Sequence, residues 1–180
     1  MYKEDYDREE KYRLINYLAE SIRKDLGIEV PINDIDEIVA MFGGTVVTDD
    51  RKHMFIGLEK TSNTTFNLYV PECHREEDRK LYVAANLGKL LLHTNFLSNH
   101  EEYINSNKFE FINDKTVEAI NQENFFGGAF LMPYKEYKEE MDKNTEGNTV
   151  YTDKIAKHFG VTSSAASQRG KELGLLKRYW

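Results

Sequence analysis

The stretch "VAANLGKLLLHTNF", residues 83–96, most restricts what this chain can fold into. Val83, Ala84, Leu87, Leu90 and Leu91 recur at three- and four-residue spacing, so they line one face of a helix. Leu92 widens that face, and Gly88 lets a second backbone come close. A helix with so much apolar surface has to be buried, and the rest of the chain has to be arranged around it. Inside the frame stand Ala85, Asn86 and Lys89, which contribute a methyl, an amide and a cation.

The flanking sequence supplies the other layers. Residues 8–26 form an amphipathic helix through Ile15, Leu18, Ala19, Ile22 and Leu26, ended by Gly27. "VPINDIDEIVAMFGG" gives an Asn33 or Asp34 N-cap and a short helix with Ile35, Ile38, Val39 and Phe42 inward. "TVV" follows as a strand. "HMFIGLE" and "TFNLYVP" then form two strands joined by the polar turn "KTSNT". Helix resumes near Glu76 and runs to about Thr94, and "SNHEEYINSN" is loop or frayed helix. A further helix runs from about Asp114 toward Phe130, closed by "LMP". "KNTEGN" is a polar linker, and 150–176 is helical again. This order predicts an α+β body whose helices pack on a small mixed or antiparallel sheet. It predicts two parts, a body over 1–145 and a helical segment over 150–180.

The 180 residues suffice for one core or a core with a small appendage. No apolar run reaches the ~18 residues a membrane span needs. The charged start "MYKEDYDREEKYR" has no secretory h-region. A single cysteine, Cys73, excludes an intramolecular disulfide framework, and a reducing cytoplasm is the expected setting. Residues 150–180 carry six Lys or Arg against two acids, a net +4, which leaves −11 of the overall −7 on the remainder. A basic tail on an acidic body suggests two surfaces with different partners. The plainer reading is a solvated helical end.

In zinc peptidases the pattern H-E-x-x-H puts two histidines on one helical face, where both reach one metal. The glutamate between them works as base on the metal-bound water. "DRKLYVAANLGKLLLHTNF" resembles the active helix of the ImmA/IrrE metallopeptidase family, with the frame A-x-x-LG-x-LLLH intact. "FIGLEK…FNLYVP" resembles that family's strand pair. "INQENFFGGAFLMP" resembles its later helix, and "IAKHFGVTSSAASQRGKELGLL" its closing segment. The resemblance runs from about Pro31 to Leu176 and implies a zincin-like body.

The functional positions depart from the family's pattern. Ala85 stands at the first histidine, Asn86 at the glutamate and Lys89 at the second histidine. Alanine has no lone pair, asparagine is no base, and lysine repels a dication. Alignment on Phe126 and "LMP" places Ile120 or Gln122 at the third, carboxylate ligand, with Glu118 and Glu123 out of register. The expectation is therefore no metal, no cofactor and no catalytic residue. Asn86, Lys89, Gln122 and Glu123 would line a vestigial or protein-binding groove, with Lys89 turned toward Gln122, Glu118 or Glu123. Substitute ligands could come only from Cys73, His74, His93 and His100, of which the adjacent Cys73 and His74 converge poorly. His93 reads as a satisfied histidine at a helix end.

The tail reads as helix-turn-helix. Ile155, Ala156 and Phe159 face inward, Gly160 turns, Val161 is buried, and Thr162 or Ser163 caps a second helix carrying Ala165, Arg169 and Leu173. A DNA-reading face would present Ser163, Ser164, Ser167, Gln168 and Lys171. Packing or protein contact ranks ahead of DNA, because that face is poor in arginine and the protein is acidic. The expected function is an inactive ImmA/IrrE-like relative that acts by binding a protein, in regulation of a phage or mobile element. The expected partner is a protein, such as a helix-turn-helix repressor or another protein, ahead of nucleic acid, and no membrane is expected. The alternatives are a DNA-binding regulator working through the tail and an active metallopeptidase with unusual ligands.

Overall fold

A computed structural model describes residues 2–55, 57–111 and 116–177. The first helix, α1, spans Tyr2–Asp25, and Gly27 past its end takes a left-handed φ of 65°. α2 (Ile35–Met41) starts at Asp34, whose carboxylate accepts the N–H groups of Asp36 and Glu37. Then come β1 (Gly44–Thr48), α3 (Asp50–Phe55), β2 (Leu58–Lys60) and β3 (Phe66–Val70). α4 spans Glu76–His93, followed by α5 (Asn95–Ser98), α6 (His100–Asn105) and α7 (Val117–Leu131). α8 (Tyr134–Lys143) leads into β4 (Thr145–Glu146) and β5 (Thr149–Val150), then α9 (Thr152–Phe159) and α10 (Ser163–Glu172).

The chain divides into two compact units, Asp34–Gly127 and Met1–Asn33 with Gly128–Trp180. In the first unit the sheet order is β1-β3-β2, with β1 parallel and β2 antiparallel to the central β3. The sheet is thus mixed. Leu58, Phe66, Leu68 and Val70 from the strands are buried, as are Val83, Ala84, Leu87 and Leu90 from α4 and Ile35, Ile38 and Val39 from α2. Arg79 on α4 grips Asp36 on α2 with two hydrogen bonds of 2.9 and 2.7 Å, a fork that fixes both spacing and orientation. Lys60 closes β2 onto α6. Its ammonium donates to the carbonyls of Asn63 and Ser106 at 3.0 Å and to that of Tyr103, and it sits 3.7 Å from the Tyr103 ring centroid.

Several expectations need correction. "HMFIGLE" is not one strand, because its first half belongs to α3. The Asp49 carboxylate accepts the Lys52 N–H at 2.9 Å and starts a helical turn that Gly57 ends at φ 71°. Within "SNHEEYINSN", read as loop or frayed helix, the helical option holds: α6 starts at the Asn99 cap directly after α5, which the Thr94 side chain caps. "KNTEGN" includes part of the β4–β5 hairpin, turned by Gly147. Sequence reading missed α8, which begins at the proline that closes α7. Phe42 and Leu18 are half-buried and Leu26 is exposed, so the inward faces of α1 and α2 are narrower than expected. Asp114 lies outside the described residues.

In the second unit Ile15 and Ala19 of α1, Tyr137 of α8, Ile155 and Phe159 of α9 and Ala166 of α10 are buried. Gly160 turns between α9 and α10 at φ 61°, Val161 is buried, and the Thr162 hydroxyl accepts the Ala165 N–H at 3.2 Å. Tyr137 donates its hydroxyl to the Ala166 carbonyl at 2.7 Å. Burial pushes its phenol up to about 12. The fold therefore favours the protonated phenol, against an ordinary value of about 10 in the unfolded chain. That contribution is complete below about pH 10 and lost as pH rises through about 12. Thermal melts between those limits should show a falling melting temperature, with a shallower fall in Tyr137→Phe. A slope unchanged by the substitution would refute this.

Candidate functional site

α4 carries the three altered positions, and its two neighbours define the site. On one side α7 comes within backbone contact. A Cβ added at Gly88 would stand 3.0 Å from the Glu123 carbonyl oxygen, and one at Gly127 would stand 3.0 Å from the Ala85 nitrogen. On the other side lie β3 and the turn at Gly57. Asn86 is only 7% exposed. Its amide nitrogen donates to the Tyr82 carbonyl at 3.1 Å and to the Tyr69 carbonyl at 3.4 Å. Both partners are carbonyls, so the amide has to present its nitrogen to them. A Cβ at Gly57 would meet the Asn86 Oδ1 at 3.2 Å and the Lys89 Nζ at 3.6 Å. Only glycine suits that approach and its positive φ.

Lys89 is half-buried, with its ammonium 5.4 Å from the centroid of the Phe111 ring. Gln122 donates to Glu118 at 3.0 Å, so those two expected partners of Lys89 bond one another along α7. Glu123 is half-buried and Ile120 exposed. The donor set does not fit the zinc ion that the resemblance implies. Ala85 offers no lone pair, Asn86 has its amide committed to two carbonyls, and Lys89 brings a positive charge.

The four candidate substitutes are spread over different surroundings. Cys73 donates to the Pro71 carbonyl at 3.4 Å, and burial pushes its thiol up. His74 is exposed, His93 is buried at the last turn of α4, and His100 packs on Tyr103. Among the described residues no three His, Cys, Asp or Glu side chains are grouped to hold a metal.

Sequence reasoning missed His53 and Tyr82. Reading "HMFIGLE" as a strand hid the imidazole that α3 brings beside α4. His53 Nδ1 lies 3.1 Å from the Tyr69 carbonyl, the same oxygen that Asn86 reaches. Its ring meets Tyr82 edge-on, with centroids 5.3 Å apart.

On the C-terminal helices Ser163, Ser164 and Gln168 are exposed, while Ser167 and Lys171 are half-buried. Gln168 donates to Glu172 at 3.0 Å. Arg169 is buried, with Nε donating to the Met132 carbonyl at 3.0 Å and Nη2 to Asn16 Oδ1 at 2.5 Å. The single arginine of α10 therefore serves the core of its unit.

The chain is a helix-rich α+β protein organised around a peptidase-type helix. Residues 42–171 match the peptidase family described as the IrrE N-terminal-like domain, and the chain belongs to that family. Among solved structures it is similar to a Mycobacterium tuberculosis transcriptional regulator, with a TM-score of 0.57 and 23% identity. That match covers 91% of this chain and 48% of the other, so the chain spans about half the regulator's length. At this identity the likeness bears on the fold alone. No curated protein matches the chain significantly. Among the described residues no helix is long and apolar enough to cross a membrane.

Proposed function

We propose that this chain is a catalytically inactive member of its family, with a zincin-like body, that acts by binding a protein. The observation that carries this is Asn86. At the position of the catalytic base stands an amide whose nitrogen is already bonded to two backbone carbonyls. Lys89 adds a positive charge where a metal-binding histidine would be. Active relatives cut helix-turn-helix repressors of mobile elements. An inactive one would hold such a repressor, and so regulate a phage or mobile element, by sequestration in the cytoplasm. The DNA-binding alternative, through a helix-turn-helix-like tail, is less well supported, since Arg169 is buried and Gln168 is bonded to Glu172.

The experiment has three arms. Purified protein incubated with zinc and desalted should retain well under one equivalent by elemental analysis. A pull-down from the native host should recover an intact repressor rather than its fragments. Duplex DNA should bind no tighter than the micromolar range at about 150 mM salt, the ordinary nonspecific level. Stoichiometric zinc with cleavage of the repressor would overturn the reading in favour of an enzyme. Submicromolar DNA binding would overturn it in favour of a DNA-binding regulator.

A further inference from the structure

Residues 95–110 leave the end of α4 and come back to it. The Asn95 N–H donates to the Glu110 carbonyl at 3.1 Å, and the Glu110 N–H donates to the Asn95 side-chain oxygen at 3.4 Å. Just outside them an antiparallel bridge pairs Thr94 with Phe111. A compact loop whose ends meet in this way is packed by its own side chains. Here the Tyr103 ring meets Phe96 edge-on at 4.9 Å and stacks on His100 at 5.7 Å and on Phe109 at 5.9 Å. Tyr103 is 2% exposed and Phe109 6%. A segment with joined ends and its own core opens as a unit when it opens.

A row of rings runs through this segment, with a lysine ammonium at each end. Lys60 of β2 donates to the Tyr103 and Ser106 carbonyls at the C-terminal end of α6, where the helix dipole favours a cation. The same ammonium reaches the Asn63 carbonyl and the face of the Tyr103 ring, so one Nζ makes or loses all these contacts together. Tyr103 stacks on Phe109, and Phe109 tilts against Phe111 at 5.9 Å. The bridge to Thr94 brings Phe111 back beside the last turns of α4. There its ring faces Lys89, whose ammonium is 5.4 Å from the ring centroid. We propose that residues 95–110 are a strap latched by Lys60, that the latch holds Phe111 over Lys89, and that release of the latch uncovers Lys89. Lys60 is thus a positioning residue for the α4 site, acting through Tyr103, Phe109 and Phe111. The inference concerns access to the site in the free chain and does not depend on which partner the chain binds.

Two measurements on the full chain test it. Amide hydrogen exchange at Tyr103 and Ser106, which bond to the Asn99 and Glu102 carbonyls at 2.9 Å, reports the latch. Acylation of lysines by an N-hydroxysuccinimide ester of acetic acid, read site by site by mass spectrometry, reports the cover on Lys89. In Lys60→Met those amides should exchange about ten-fold faster or more, as loss of hydrogen bonds from a charged donor does, and Lys89 should be acylated several-fold faster. Lys60→Arg, which keeps a donating cation, should stay closer to the parent in both. Phe111→Ala should speed Lys89 acylation by a similar factor, and combining it with Lys60→Met should add little, since both remove one cover. Exchange in β3 and acylation of Lys135, 81% exposed on α8, should stay at parent rates in every variant. If Tyr103 and Ser106 exchange as slowly in Lys60→Met as in the parent, the latch is refuted. Faster exchange without faster Lys89 acylation refutes the coupling, and unchanged acylation in Phe111→Ala refutes the cover. A rise in β3 exchange equal to that at Tyr103 and Ser106 makes Lys60 merely structural and overturns the proposal.

Discussion

Arg169→Met should lower the unfolding free energy by about 3–5 kcal/mol, the cost typical of removing one partner from a buried, hydrogen-bonded charge network. Arg169 is 1% exposed and joins three stretches of one unit. Nε serves the Met132 carbonyl after α7, Nη2 serves Asn16 on α1, and Nη1 stands 3.8 Å from Glu172 on α10. Asn16 passes the link on, since its Nδ2 donates to Glu20 at 3.2 Å. Burial pulls the guanidinium below its ordinary value, and Glu172 and Glu20 oppose that shift. Methionine matches the volume but leaves the Met132 carbonyl and the Asn16 oxygen without their donor. Arg169→Lys should recover only part of the loss, because an ammonium lacks the planar fork that reaches two acceptors in different directions. Lys171→Met, two positions on and half-buried, should stay within about 0.5 kcal/mol of the parent. Chemical denaturation of the three variants decides the matter, and a loss below about 1 kcal/mol for Arg169→Met would show that the network contributes little.

What could be read from the sequence followed the strength of the local signals. The apolar period of α4 fixed its extent almost to the residue, and Asp34 and Thr162 marked helix starts because their side chains cap locally. α3 was misread because "HMFIG" suits a strand as well as a short helix. The deciding contact is the Asp49 cap, which lies upstream of the apolar residues. The mixed sheet depended on β1 pairing with β3 across the intervening α3 and β2, a long-range choice that no local pattern dictates. At the site, the loss of ligands was visible as residue types at Ala85, Asn86 and Lys89. What Asn86 does instead was not visible, because its direction is set by a carbonyl arriving from β3. Arg169 stood outside the face expected to be exposed on that helix, yet its partners, Asn16 on α1 and the Met132 carbonyl, were not visible, because they arrive from distant parts of the chain.

Gly127 and Gly128 are adjacent in α7, and the same substitution should have opposite signs at the two. A Cβ at Gly127 would lie 3.0 Å from the Ala85 nitrogen, 3.2 Å from the Ala84 carbonyl carbon and 3.3 Å from the Ala85 Cα. All three are backbone atoms of α4, so no side chain can swing aside and the helices have to separate. Overpacking of that kind costs about 1–3 kcal/mol for added methyls. Replacing glycine inside a helix returns about 1 kcal/mol, so Gly127→Ala should lose modestly and Gly127→Leu several-fold more. At Gly128 the nearest atoms are the Arg169 Cδ and a Glu172 oxygen, both at 3.7 Å, which is ordinary contact. Gly128→Ala should therefore be neutral or stabilising by up to about 1 kcal/mol. Gly88→Ala repeats the test from the other helix, since its Cβ would meet the Glu123 carbonyl oxygen and the Phe126 Cβ at 3.0 Å. Once one substitution has spread the crossing, the second meets more room, so Gly88→Ala with Gly127→Ala should cost less than the sum of the two. If Gly127→Ala proves as harmless as Gly128→Ala in parallel denaturation curves, α4 and α7 are not held at backbone distance.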